Sequence, residues 1–149
     1  STDECTGWTG ITCNAEGRVT EVNLAASIQA TESNVGPSDS LQLSVDFFLL
    51  LAETLQIFNL SQNQLSQSTI PTEVGTLRQL TALSLGENQF VGTIPTQLSD
   101  LTMLGHLVLG SNLLDGAVPS LTDLAQLSYL DLRANENLGG DLSLEGMDS

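Results

Sequence analysis

His106 is the only histidine among 149 residues, and so the only side chain suited to proton transfer near neutral pH without a shifted pKa. As a catalytic base it needs a nucleophile and an orienting acid within hydrogen-bond reach. Ser84 and Asp131 are the neighbours that a repeated register would offer, yet no strained turn or oxyanion arrangement is legible around them. His106 therefore reads as a surface residue, and the chain as a protein that is not an enzyme. Neighbouring acids such as Asp3 and Glu4 lack the spacing of a calcium loop, so neither a metal nor a cofactor is expected. Asn59-Leu60-Ser61 fits the acceptor pattern for N-glycosylation, and a sugar on Asn59 would block much of the surface around it.

Two cysteines, Cys5 and Cys13, lie close together near one end. They lack the second ligand pair of a structural zinc site. A disulfide closing this small loop would stabilise the fold by about 2–3 kcal/mol and would imply an oxidising compartment. The alternative is a pair of reduced, buried thiols. The expected localisation is secreted or extracellular, with an organelle lumen as the other choice.

The 18 acids against 3 basic residues give a formal charge of −15. Such a field repels phosphate backbones and anionic lipid head groups, which excludes nucleic acid and disfavours membrane surfaces. It attracts a basic protein surface, and salt should weaken that attraction. No apolar run approaches the roughly 20 residues needed to span a bilayer, so no direct membrane insertion is expected. The start at Ser1 has no basic stretch followed by an apolar one, and any targeting peptide is expected to have been removed.

Hydrophobic residues make up 40% of the chain but aromatics only 4%, so the core must be aliphatic. Self-similarity explains how. LRQLTALSLGENQFVGTIPTQLSD from Leu77 is followed by LTMLGHLVLGSNLLDGAVPSLTD from Leu101 and LAQLSYLDLRANENLGGDLSLEG from Leu124. An earlier copy runs from Ala52, and a weaker one spans 18–24 with Ser27 where the later copies have asparagine. Asn63, Asn88, Asn112 and Asn135 recur at intervals of 25, 24 and 23 residues. Leu83-Ser84-Leu85, Leu107-Val108-Leu109 and Leu130-Asp131-Leu132 alternate with the period of a strand. One such strand cannot bury its apolar side alone, so the copies must stack into a parallel sheet. The four asparagines then form an internal ladder whose amides serve backbone groups inside each turn.

These residues resemble the plant-specific class of leucine-rich repeats. The Ile70-Pro71, Ile94-Pro95 and Val118-Pro119 pairs, with Gly92 and Gly116 ahead of them, carry that resemblance, and residues 5–24 are similar to the family's N-terminal cap. The resemblance implies an α/β leucine-rich-repeat solenoid of about five repeats, with a parallel β-sheet on the concave face and a disulfide-closed N-terminal cap. It also implies a second short strand beside each Gly-x-Ile-Pro stretch. Domain boundaries follow: 1–18 as cap, and 19–149 as solenoid with a polar insertion at 28–40. Residues 44–53 read as a helix with Ser44 as N-cap, its apolar load buried on the outer side. No cysteine pair closes the C-terminal end, where a neighbouring subunit or downstream sequence would cover the last strand edge.

The outward strand positions are expected to bind. They include Glu21, Asn23, Ile57, Asn59, Ser84, Glu87, His106, Val108, Tyr129, Asp131 and Arg133. Close to half of the full outward set is Gly, Ala or Ser, and Tyr129 is its only aromatic, which concentrates binding energy near Tyr129 and Arg133. The leading expectation is a non-catalytic protein-binding module whose partner has a basic surface. One alternative is a structural subunit of a larger assembly, soluble or membrane-bound. The resemblance adds a secreted inhibitor of cell-wall glycosidases. Ice or polysaccharide binding would want a regular threonine ladder, to which only Thr69/Thr72 and Thr93/Thr96 come near.

Overall fold

The computed structural model describes residues 8–27 and 45–139 of the chain. Its strands are β1 (Ile11–Cys13), β2 (Val19–Asn23), β3 (Ile57–Asn59), β4 (Ala82–Ser84), β5 (Val91–Thr93), β6 (His106–Val108), β7 (Leu113–Ala117), β8 (Tyr129–Asp131) and β9 (Asn137–Gly139). One helix, α1 (Val45–Leu51), precedes β3. The principal sheet has the order β1-β2-β3-β4-β6-β8, and β5-β7-β9 form a second, three-stranded sheet. All pairings are parallel except β1 with β2. That antiparallel strand occupies the N-terminal sheet edge, the place where unpaired backbone groups would otherwise invite another chain.

The short strands follow from the leucine pattern. Val22, Phe58, Leu83, Leu107 and Leu130 sit in one register across the sheet. The first four are buried, while Leu130 in the last strand is only half-buried. The same falling-off occurs at Leu132 and Leu138, whose counterparts Leu109 and Leu114 are fully enclosed. The described sheets therefore end on a thinly covered apolar row.

Asn63, Asn88, Asn112 and Asn135 are all buried and cross-link the repeats. The Asn88 amide donates to the carbonyls of Leu85 at 3.1 Å and of Leu60, one repeat earlier, at 2.9 Å. Its oxygen accepts from the Leu65 N–H at 3.3 Å. Asn112 and Asn135 repeat this arrangement on Leu85/Leu109 and Leu109/Leu132, accepting from Phe90 and Leu114. Asn63 donates to Leu24 and Leu60, so the first turn is served although Ser27 replaces its asparagine. The residue before each of these positions, from Ala26 and Gln62 to Ala134, adopts a positive φ, which turns the chain out of the strand.

The Gly-x-Ile-Pro stretches form the second sheet, with Val91 beside Leu113 and Asp115 beside Asn137. Gly92 and Gly116 take φ values of 77° and 74°, where a side chain is disfavoured. The earlier repeat places Gln67 there at φ 54°. Gln67→Gly is accordingly expected to raise the unfolding free energy by about 0.5 kcal/mol, the relief of strain exceeding glycine's extra chain entropy. Urea denaturation checks this, and a loss of stability would contradict it. Pro71 and Pro95, held near φ −72° and −63°, then start 3₁₀ helices over Thr72–Thr76 and Thr96–Asp100.

The helix differs in part from expectation. Phe48 and Leu51 are buried, and Phe48 meets Phe47 edge-on at 5.3 Å, but Leu49 and Leu50 are 60% and 81% exposed. A spacing of three places Phe48 and Leu51 on one face and turns the intervening leucines to solvent. The apolar load is therefore only half used. Ser44, Cys5, the 28–40 insertion and residues 140–149 lie outside the described residues.

Candidate functional site

The short strands leave two rows of side chains on the outward face of the principal sheet. Register places Glu21, Ile57, Ala82, His106 and Tyr129 in one row, and Asn23, Asn59, Ser84, Val108 and Asp131 in the next. All eleven outward residues singled out from the sequence lie on this face or at its rim, Glu87 and Arg133 at the strand ends.

At one end of the face, Glu21 accepts from the Thr12 hydroxyl at 3.3 Å and from the Asn23 amide at 3.5 Å. Asn59 donates to the Asn23 side-chain oxygen at 3.2 Å, and its own oxygen takes both the N–H and the hydroxyl of Ser61. The Asn59 amide nitrogen, the atom a sugar would need, thus already bridges two strands. Gln62 donates to Glu87 at 3.2 Å. No cation pairs with Glu21 or Glu87 among the described residues.

The other end is aromatic. The His106 and Tyr129 rings stack with centroids 6.0 Å apart and planes 27° from parallel. Both are exposed, Tyr129 to 47%. No hydrogen bond joins His106 to Ser84 or Asp131 among the described residues, and the register explains why: Ser84 and Asp131 belong to the row beside Val108, not that of His106. The arrangement offers a ring platform rather than a proton relay.

Asp131 is committed to Arg133. The guanidinium donates from Nε at 3.0 Å and Nη2 at 2.8 Å, and the Arg133 N–H adds a third bond to the same carboxylate. The Asp131 side chain is only 12% exposed and that of Arg133 84%. A close backbone approach makes room for this pair. A Cβ on Gly110 would stand 2.8 Å from the Asp131 carboxylate, so any larger residue would displace it. Hydrogen bonds from Arg133 hold the Asp131 carboxyl below its ordinary range. The stability this contributes is present above the ordinary carboxylate range and is lost as pH falls through the depressed value. In a carboxyl-carbon NMR titration, Asp131 should have its midpoint below that of a free aspartate, and Arg133→Ala should raise it. An unchanged midpoint in the variant would contradict the pairing.

Sequence reasoning named Tyr129, His106, Asp131 and Arg133 but not how they pair. Only strand register brings the rings together, and only the turn after β8 folds Arg133 back onto Asp131. It also missed an open groove of about 380 Å³ on another surface, where Arg78 lies among Glu53, Thr72, Gln97 and Asp100.

Stacked parallel strands joined by an asparagine ladder, with an exposed sheet face, define a repeat solenoid. The Leucine Rich Repeat family model matches residues 54–77 and 79–101. A chain of the BIR3–SERK2 complex from Arabidopsis thaliana is 30% identical, with 93% of this chain and 69% of that one covered at a TM-score of 0.75. A plant ice-binding protein is 28% identical over 90% of this chain and 40% of its own, with a TM-score of 0.71. The plant peptide hormone receptor RGFR1, solved in complex with RGF2, is 33% identical over 89% of this chain and 22% of its own, with a TM-score of 0.68. No curated protein sequence matches. The chain belongs to the leucine-rich-repeat family, in its plant-type form.

Proposed function

We propose that this protein is a non-catalytic binding module that seats a partner protein on the outward, concave face of its principal sheet. One observation carries the reading: His106 and Tyr129 form an exposed stacked ring pair, with half-buried Val108 two positions along the strand, on a face that is otherwise mostly small and polar. Exposed aromatics beside a shallow polar rim are where interface energy concentrates. The complexes of BIR3 with SERK2 and of RGFR1 with RGF2 support a protein or peptide partner for this fold. Uncompensated Glu21 and Glu87, within a net charge of −15, favour a partner with a basic surface.

We further read residues 1–18 as a cap closed by a Cys5–Cys13 disulfide, and 19–149 as the solenoid carrying its 28–40 insertion. The absence of a free thiol among the described residues supports the disulfide. An oxidising, extracellular setting follows from it.

A second reading, as a subunit of a larger assembly, is favoured by one observation. Leu130, Leu132 and Leu138 are half-buried at the last row, and a neighbouring subunit or further sequence would cover them. The ice-binding relative suggests a third, but the exposed rows Thr69/Thr93 and Thr72/Thr96 give way to Ala117 and Ser120 in the next repeat. Two steps make too short a lattice to favour it.

The test is affinity capture from the native extracellular fluid, followed by identification and titration of the captured protein. Val108→Arg is expected to weaken it at least tenfold, and Leu113→Arg, on exposed β7 of the second sheet, to leave it unchanged. Equal affinity for both variants would overturn the assignment of the face.

A further inference from the structure

The outward face is graded along its length. The row Glu21–Ile57–Ala82–His106–Tyr129 starts on a carboxylate and ends on a stacked pair of rings. Between them the surface is low at Ala82, Ser84 and Gly105, which carry little or no side chain there, and the half-buried Ile57 is the larger side chain of that stretch. A ligand that touches only the middle meets little beyond Ile57 and Asn59. One that touches both ends gains a charge contact and an apolar contact.

The charges give the ligand's sign. Among the described residues, the carboxylates of Glu21 and Glu87 receive only neutral donors, from Thr12, Asn23 and Gln62. Arg133, the cation that the described residues place on the face, directs Nε and Nη2 at Asp131, which balances its charge while leaving its Nη1 edge exposed. The face therefore attracts a cation at its Glu21 end, while at its Tyr129 end the Arg133 charge is balanced by Asp131 and leaves no net charge to draw an anion.

We propose that the occupant is an extended peptide segment that crosses the strands, with a basic side chain over Glu21 and an aromatic side chain against the His106–Tyr129 pair. This rests on the reading of the outward face as the binding surface. Glu21 and Tyr129 lie four strand spacings apart, about 19 Å at roughly 4.8 Å per spacing. An extended chain rises about 3.3 Å per residue, so about five residues separate the two anchors. The stacked rings supply a flat apolar support for an incoming ring, and a cation near Glu21 is held by a contact that salt weakens.

Synthetic peptides test this directly. Acetylated, amidated peptides with one arginine and one tryptophan separated by five serines are compared with a one-serine version and with a glutamate-for-arginine version. Binding to the full chain is followed by amide NMR titration. The five-serine peptide is expected to bind at least fivefold tighter than either comparator, and raised salt to narrow that gap. Glu21→Gln should abolish the advantage of arginine over glutamate, and Tyr129→Ala should weaken the five-serine peptide about tenfold. Both side chains are surface groups, and thermal melts establish that the variants fold. Affinity that ignores spacer length, or a glutamate peptide that binds as well, overturns the proposal. If the peptides fail while the captured protein still loses affinity to Val108→Arg, the segment proposal alone falls. If that protein ignores Val108→Arg, the reading of the face falls with it.

Discussion

Asn88→Ala is expected to lower the unfolding free energy by about 2 kcal/mol, within the range for stranding a buried polar group. The Asn88 oxygen accepts from the Leu65 N–H, and its amide donates to the Leu60, Leu85 and Gly86 carbonyls; Asn63 and Asn112 also serve Leu60 and Leu85, so the loss falls mainly on the Leu65 N–H. Water cannot substitute, since the residue lies within the closed turn at 8% exposure. Asn88→Asp should cost at least as much. It keeps an acceptor for the Leu65 N–H but turns a negative oxygen toward three carbonyls. Equilibrium urea unfolding measures both, and a loss below about 0.5 kcal/mol for the alanine variant would contradict a structural role for the ladder.

Leu107→Ala is expected to cost about 3–4 kcal/mol, as for a fully enclosed leucine whose removal leaves a cavity between two rows. Leu130 occupies the same strand position one row later but is only half-buried. Leu130→Ala should therefore cost roughly half as much, because solvent and relaxation can fill the space. Equal losses at the two positions would mean that the last row is as well covered as the inner ones. That would remove the observation favouring an assembly partner at this end.

Much of this architecture was legible in the chain. The 23–25-residue recurrence of asparagine and the leucine alternation are direct imprints of stacking, since each repeat must bury the same face against the next. The second sheet came from the resemblance, and the glycine positions at Gly92 and Gly116 give its physical reason. The helix was harder to read. Phe47 to Leu51 look uniformly apolar as a string, and only the packing of Phe48 against the core shows which side faces inward. Site residues could be named but not paired. Whether His106 meets Ser84 or Tyr129 depends on a two-residue difference in position along parallel strands, and that difference decides between a hydrogen-bond relay and a ring stack. Likewise, Arg133 reads in sequence as a free hot-spot cation, whereas the turn after β8 closes it onto Asp131.

The central claim is that a partner sits on the outward face near the ring pair. Tyr129 is the only tyrosine and Trp8 the only tryptophan, so fluorinated analogues report each end of the molecule by a single resonance. Trp8 is exposed at the N-terminal end of the described chain, away from β8 in the sheet order. On titration with the captured partner, the 3-fluorotyrosine signal at position 129 should shift or broaden while the 5-fluorotryptophan signal at position 8 stays put. A moving tryptophan signal with an unmoved tyrosine signal would contradict the account.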